Sequence, residues 1–112
     1  MTPSSSRLPK VLAIDDSELI HRLLRVRLQY EQLELHGTVD AAHGLRLARE
    51  LRPDVILLDI ILPDLDGLKV LERIKQSDPD VIVIMITATK TVKTAVEAMR
   101  LGAYDYITKP FD

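Results

Sequence analysis

The sequence predicts an α/β protein built on one parallel β-sheet. Its 112 residues correspond to a single domain, since domains most often contain ~100–150 residues. Three runs of mainly β-branched residues are continuously apolar, as is typical of parallel strands covered on both faces: Val11–Ile14, Val55–Ile60 and Val81–Ile86. Segments with helical spacing of apolar residues lie between them. This alternation predicts parallel strands joined by right-handed helical crossovers.

Two further strands are predicted at the edges of the sheet. In Leu33–Val39, apolar and polar residues alternate, so only one face is expected to be buried. The segment Tyr104–Ile107 is short and mixed in polarity. With the second and fifth strands at the edges, the predicted strand order is 2-1-3-4-5. This order reverses direction between the first and third strands, and such sheets bind ligands there, outside the carboxyl ends of the strands.

Four helices are predicted from apolar spacing and end signals. The first three cover Ser17 to about Tyr30, Ala41–Leu51, and Gly67 to Asp78. Asp16 or Ser17 is expected to cap the first helix, and Pro53 ends the second because the residue before proline is disfavoured in a helix.

The fourth helix has a regular apolar stripe. Val92, Ala95, Val96 and Met99 follow the i, i+3, i+4, i+7 spacing and are predicted to face the sheet. Gly102 suits the end of this helix. Because this stripe is the least bulky of the four, we expect the fourth helix to be the most weakly attached.

Composition excludes several classes of protein. A net charge of -2 gives no basic face for nucleic acid, and the absence of cysteine excludes disulfides, thiolate metal sites and cysteine nucleophiles. No apolar run approaches the ~20 residues that cross a membrane, and no signal peptide opens the chain. The four dispersed glycines form no phosphate-binding loop. We therefore expect a cytoplasmic domain over residues 9–112, with residues 1–8 as a disordered tail.

Polar residues with complementary chemistry follow the predicted strands. Asp15 and Asp16 end the first strand, Asp59 the third and Thr87 the fourth, while Lys109 follows the fifth. Two carboxylates ~4 Å apart repel by roughly 4 kcal/mol at an effective dielectric near 20, so three of them require a cation. Oxygen ligands alone favour a hard ion such as Mg²⁺. With a lysine and a hydroxyl beside them, they predict phosphoryl transfer to an aspartyl nucleophile.

Each of these residues taken alone has a structural explanation. The Asp15-Asp16 pair is common before a helix as an N-cap, and a lone Lys109 would be an ordinary surface lysine. Asp59 is harder to explain, because buried carboxylates are rare unless paired. Other polar residues receive no functional role: Asp64 and Asp66 are interpreted as turn residues, and His21, His36 and His43 lack metal-ligand spacing.

The chain resembles the receiver domain of bacterial two-component response regulators (CheY-like). The matching stretches are VLAIDD (Val11–Asp16), DVILLDIILPDLDG (Asp54–Gly67), VIVIMITA (Val81–Ala88) and GAYDYITKPF (Gly102–Phe111). This resemblance implies a flavodoxin-like, doubly wound sheet. The stretch TAVEAMRLGAYDYITKPF (Thr94–Phe111) is most similar to receivers of sigma-54-dependent (NtrC-type) transcriptional activators.

The resemblance also implies a role for each site residue. Asp59 would accept a phosphoryl group from a sensor histidine kinase, and Lys109 and Thr87 would contact its oxygens. The implied Mg²⁺ ligands are Asp15, Asp16, Asp59 and the backbone carbonyl of Ile61.

Further residues would act around the phosphoryl group. Ala88 would leave room for it, Thr87 and Tyr106 would form the switch, and a cis bond before Pro110 would place Lys109. In the family that the chain resembles, the positions of Ile61 and Thr89 often help to tune phosphoryl lifetime. Leu62 stands where methionine is frequent in that family, which is a conservative hydrophobic replacement. Because Ile61 has no polar side chain to hold water, we predict slow self-dephosphorylation.

The function implied is a phosphorylation switch, not a turnover enzyme. Its fourth-helix and fifth-strand surface would control an output domain in transcription regulation. Two alternatives remain. One is a small phosphohydrolase with an aspartyl nucleophile, against which the chain has no second carboxylate two residues after Asp59 and no cap domain. The other is a degenerate receiver that only docks, which would need a broken site. The family continues into a fifth helix after Asp112, so we expect a fragment of a longer protein. Its uncovered apolar flank would favour a homodimer.

Overall fold

Five parallel strands and four helices alternate along the chain in a computed structural model that describes residues 7–88 and 91–109. The strands are β1 (Lys10–Ile14), β2 (Glu34–Thr38), β3 (Val55–Asp59), β4 (Ile82–Thr87) and β5 (Asp105–Thr108). The helices are α1 (Glu18–Arg27), α2 (Ala41–Leu51), α3 (Gly67–Ser77) and α4 (Val92–Arg100). The sheet order is β2-β1-β3-β4-β5, so the predicted order and both edge strands are confirmed.

The two faces of the sheet are covered unequally. Leu12, Ile56 and Leu58 belong to a large core with α2, α3 and α4. Ala13 lies on the opposite face with Ile20 and Leu24 of α1. Each fully buried aliphatic side chain of this kind contributes about 1.5–3 kcal/mol relative to its exposed state. The core therefore fixes the central strands, and with them the carboxyl edge of the sheet.

The α1-side face carries exposed apolar surface. Alternate residues of β4 and β5 point to this face, and Ile82 and Ile107 on it are exposed. This surface agrees with the apolar flank expected from the sequence. No helix of the described residues is long and apolar enough to span a membrane.

Side chains cap the helices more extensively than the sequence pattern indicated. Ser17, rather than Asp16, caps α1 by accepting from the Ile20 N–H. Asp66 caps α3. Asp64 has a long-range role: its two carboxylate oxygens accept from the Ala41 and Ala42 N–H groups at 2.8 and 3.0 Å. Asp64 therefore joins the β3–α3 loop to the start of α2, and its interpretation as a turn residue was incomplete.

The buried face of α4 was predicted wrongly. Val92, Val96 and Met99 are 81, 52 and 48% exposed, whereas Ala98 is the buried residue of this helix. The small Ala98 side chain lets the helix backbone approach the core, and Leu101 packs beside it. The helix is therefore rotated about its axis from the predicted orientation, so that Val92, Val96 and Met99 face outward while Ala95 stays half-buried. Its attachment through alanine agrees with the weak anchoring expected.

The ends of α1 and α4 differ in how closely they follow the sequence. Helix α1 ends at Arg27 instead of near Tyr30, which leaves Tyr30 exposed. Gly102 follows α4 with φ 104, as expected of a glycine just beyond a helix end. The geometry predicted for Pro110, the position of Thr89 and most of the predicted tail (residues 1–6) lie outside the described residues.

Candidate functional site

The strand ends bring the predicted polar residues to one edge of the sheet. Asp59 is the last residue of β3 and pairs in register with Ile86 of β4, so Thr87 lies one residue further along the same edge. Lys109 follows β5, and its backbone N–H donates to the Thr87 carbonyl at 2.7 Å. Asp15 directly follows β1. Sequence reasoning therefore placed the strand-end residues on the correct edge.

Three carboxylates meet at this edge. One oxygen each from Asp15, Asp16 and Asp59 lies within 4.8 Å of the others. Asp15 and Asp59 are buried, whereas Asp16 is exposed. The cluster is therefore closed toward the core and open to solvent at Asp16.

Lys109 links two of these carboxylates. Its Nζ lies 2.9 Å from Asp15 Oδ2 and 3.2 Å from Asp59 Oδ2. Burial alone would lower the pKa of Lys109, but the hydrogen bonds and charges of Asp15 and Asp59 outweigh it and raise the pKa. The ammonium thus stays charged at neutral pH. One ammonium faces three carboxylates, which leaves the cluster negative.

The Asp59 carboxyl is held in an environment that disfavours its charge. Burial and the negative charge of Asp15 raise its pKa, while Lys109 and the Ile61 N–H act in the opposite direction. That Ile61 N–H donates to Asp59 Oδ1 at 3.3 Å. Added positive charge would relieve the remaining repulsion.

This raised pKa predicts how stability depends on pH. The folded state binds the Asp59 proton more tightly than the unfolded state, so the free energy of unfolding falls as pH rises from about 4 through the folded pKa. In Mg²⁺-free buffer, Asp59→Asn is therefore expected to be more stable than the parent at pH 7, with an advantage that shrinks toward pH 4. Urea unfolding at several pH values measures this difference. A constant difference across that range would contradict it.

The residues of the cluster fit a hard divalent cation. All the side-chain atoms that could bind the ion are carboxylate oxygens, which Mg²⁺ prefers. Asp15 Oδ1 accepts from the Ser17 N–H at 2.8 Å, whereas buried Oδ2 accepts no well-aligned hydrogen bond among the described residues and lies 2.9 Å from the Lys109 ammonium. Ile61, whose carbonyl is the fourth predicted ligand, lies two residues after Asp59 and is exposed.

The other predicted site residues differ in exposure. Thr87 is fully buried and Ala88 beside it is exposed. Tyr106 of β5 pairs in register with Met85 and is half-buried against the core. Burial raises the pKa of the Tyr106 hydroxyl. The Tyr106 ring therefore lies at the boundary between the core and solvent, from which it can turn toward either.

Gly67 lies directly under the end of β3. A Cβ on Gly67 would overlap the Asp59 carbonyl oxygen and lie 2.6 Å from Ile60 Cα. The Gly67 N–H also donates to the Ile60 carbonyl at 2.7 Å. Only glycine allows this close approach between α3 and the Asp59 backbone.

Sequence reasoning missed one buried residue next to the site. His21 of α1 is buried, and its Nε2 lies 2.7 Å from the Asp15 carbonyl oxygen. Since a carbonyl only accepts, Nε2 must carry the proton and donate. Its ring fills the space left by Gly37 of β2, where a Cβ would lie 2.6 Å from Nδ1. A glycine within a strand was the available signal for such a close approach.

His21 fixes the backbone that carries the acidic residues. The Asp15 N–H donates to the Thr38 carbonyl at 3.0 Å, and the Asp15 carbonyl accepts from His21. The backbone N–H and C=O of Asp15 are thus both hydrogen-bonded. These bonds set the plane of the Asp15–Asp16 peptide bond and the directions of the two carboxylate side chains.

Removing the His21 donor is expected to weaken Mg²⁺ binding. His21→Leu should raise the Mg²⁺ dissociation constant about tenfold, as is typical when a group behind a metal ligand is lost. His21→Gln keeps a donor and should recover most of the affinity, whereas His43→Leu, at an exposed position on α2, should leave the Mg²⁺ affinity unchanged. Calorimetric titration with Mg²⁺ measures affinity, and thermal unfolding separates it from stability. Equal affinities for the leucine and glutamine variants would contradict a positioning role.

Comparison with known proteins places the chain in a family. The family model described as response regulator receiver domain matches residues 11–112. The chain is 38% identical over 103 residues to the regulatory protein AtoC of Escherichia coli, covering 92% of this chain and 22% of AtoC. It is 36% identical to the DNA-binding dual master transcriptional regulator RpaA of Synechocystis, covering 94% of this chain and 44% of RpaA. The chain thus spans less than half the length of these curated relatives.

Solved structures agree in sequence and fold. The receiver domain of NtrX from Brucella abortus has a TM-score of 0.84 and 38% identity, over 91% of this chain and 87% of that one. The signal receiver domain of a LuxO repressor from Vibrio parahaemolyticus has a TM-score of 0.90 and 30% identity, over 95% of this chain and 82% of that one. The fold and family predicted from the motifs are confirmed, and this chain belongs to the response regulator receiver domain family of two-component systems.

Proposed function

We propose that this chain is a phosphoacceptor domain in which Asp59 receives a phosphoryl group from a sensor histidine kinase with Mg²⁺ present. The observation that carries this proposal is the Lys109 ammonium between buried Asp15 and Asp59, at 2.9 and 3.2 Å. A lone structural ion pair needs one carboxylate, whereas this site holds three. The excess negative charge suits a site that gains a cation and then a phosphoryl group.

The chemistry follows from the roles that the side chains can take. An oxygen of ionised Asp59 attacks phosphorus, and the bond between phosphorus and the donor nitrogen breaks with its electron pair leaving on the donor. Lys109 pairs with the negative phosphoryl oxygens, and the Thr87 hydroxyl donates a hydrogen bond to one of them. Asp15, Asp16, Asp59 and the Ile61 carbonyl would hold Mg²⁺. When bound, the ion supplies the positive charge that neutralises the transferred group.

Phosphorylation would then change the α4–β5 surface. The new charge on Asp59 draws Thr87 and Lys109 toward it, and the backbone bond from Lys109 to Thr87 couples the end of β5 to β4. Helix α4 buries only Ala98, so a small shift in its packing costs little. Tyr106, half-buried on β5, moves between its two environments. A domain with two packings of this kind is biased by a charge added at one site.

The relatives suggest the output. They include a DNA-binding transcriptional regulator and a regulatory protein, AtoC, of which this chain covers only 22% of the length. We therefore propose that the domain acts in the cytoplasm and controls transcription through an output domain, without contacting DNA or a membrane. Within the chain, residues 9–112 are the receiver and residues 1–8 a tail. A homodimer that buries the exposed apolar face around Ile82 and Ile107 is part of this proposal.

Phosphorylation by a small donor tests this function directly. Incubation with Mg²⁺ and acetyl phosphate should add one phosphoryl group per chain, detected by intact-protein mass spectrometry. Asp59→Asn should abolish the gain and Asp80→Asn, at an exposed loop position, should preserve it. After donor removal the gain should persist far beyond seconds, because the Ile61 side chain cannot hold an attacking water. Turnover of varied phosphate esters, or labelling of Asp59→Asn, would contradict the proposal.

A further inference from the structure

A second concave site lies at the other end of the sheet. It is a cleft of about 550 Å³ between the carboxyl-terminal halves of α2 and α3, where β3 and β4 begin. Its lining mixes polar groups with apolar side chains, which are half-buried Leu45 and Ala48 and buried Ile56, Ile74 and Val81. The cleft thus lies at the amino ends of the strands, opposite the acidic cluster.

Positive charge surrounds these apolar side chains. Arg49, Arg52 and Arg73 line the cleft and are exposed, against a single lining carboxylate, Asp78. Within residues 7–88 and 91–109, none of the three arginines forms an ion pair or a side-chain hydrogen bond. Among the described residues, the cleft therefore presents three guanidinium groups without an ion pair around uncharged side chains.

Arg52 is held in a conformation that favours glycine. With φ 51 it has the only positive φ among the described non-glycine residues, and it ends α2 in the left-handed region. A side chain there is strained, whereas glycine is not. Strained residues cluster at functional sites. The strained residue Arg52 thus places its guanidinium group at the rim of the cleft.

We propose that this cleft binds a small amphiphilic anion, a molecule with an apolar body and one carboxylate or phosphate group. The volume lies within the ~300–1,000 Å³ typical of small-molecule sites, which favours a small ligand over a protein segment. The apolar body would cover Ile56, Ile74 and Val81. Its anionic group would pair with the arginines, whose planar donors match carboxylate and phosphate oxygens.

Sodium octanoate is a suitable probe, with sodium acetate and 1-octanol as partial ligands. Acetate carries the charge alone, and octanol carries the apolar body alone. In a titration of the ¹⁵N-labelled protein followed by amide NMR shifts, octanoate should shift residues 45–56 and 73–81. Each partial ligand should bind at least about tenfold more weakly, because it lacks one of the two contributions. Octanol binding as tightly as octanoate would remove the anionic part of the proposal.

Arg52→Gly separates binding from folding. Glycine suits φ 51, so this variant should unfold at the same temperature as the parent or higher, yet bind octanoate at least about fivefold more weakly. Arg25→Gln, on exposed α1 across the sheet, is the matched control and should bind as the parent does. Unchanged binding by Arg52→Gly, or octanoate shifts confined to other surfaces, would show that the arginines serve only the helix ends and would overturn the proposal.

Discussion

Lys109→Met is expected to lower the free energy of unfolding by about 2–4 kcal/mol at pH 7 without Mg²⁺. The substitution keeps the length and apolar stem of the side chain but removes the ammonium that contacts buried Asp15 and Asp59. Removing one partner of a buried ion pair typically costs about 3–5 kcal/mol because the other charge stays buried without compensation. The range is lower here because the site opens to solvent at Asp16. Urea unfolding followed by circular dichroism measures the change.

Mg²⁺ and a matched lysine distinguish this effect from lost packing. Added Mg²⁺ should stabilise Lys109→Met more than the parent, since the ion supplies the missing positive charge to the same carboxylates. Lys69→Met removes an exposed lysine from α3, 3.7 Å from Glu72, and should change stability by less than about 0.5 kcal/mol. If both methionine variants lost the same small amount, the carboxylates would not depend on Lys109 for their charge balance.

Gly67→Ala is expected to destabilise the fold by about 3 kcal/mol or more and to impair phosphorylation of Asp59. The added Cβ would overlap backbone atoms of Asp59 and Ile60, and overpacking of this kind costs about 1–3 kcal/mol even where side chains can adjust. Backbone atoms of a central strand have less freedom. The helix must therefore move away from β3, which also displaces the Asp59 carboxylate. Thermal unfolding and the acetyl phosphate mass gain report the two effects.

Gly44→Ala provides the comparison. The three atoms nearest to a Cβ there all belong to the Ile14 side chain, with Cδ1 at 2.6 Å, and the helix-interior position also gains about 1 kcal/mol of helix propensity. Because the contact is with side-chain atoms, which shift more readily than the backbone of a central strand, Gly44→Ala should lose less stability than Gly67→Ala and keep the mass gain. A larger loss for Gly44→Ala would show that side-chain packing, not the backbone contact at Asp59, limits this fold.

The sequence by itself determined the architecture and the residues of the candidate site. Continuous apolar runs predicted the central strands, alternation in Leu33–Val39 predicted an edge, and both are confirmed by the sheet order. Helix α2 spans Ala41–Leu51 in both prediction and structure, because its N-cap and the following proline are local signals. Strand ends in a parallel sheet share one edge, so the spacing of Asp15, Asp59 and Lys109 was sufficient to place them together.

Only the tertiary structure decided which surfaces meet. Apolar residues of α4 recur at helical spacing on two adjacent faces of the helix. Packing against the core buries the face with Ala98 and leaves Val96 and Met99 exposed. The bond from Asp64 to the start of α2 and the fit of the His21 ring against Gly37 join residues far apart in the chain. Local periodicity and capping act over a few residues, whereas these contacts depend on the relative positions of whole elements, which are set when the elements pack.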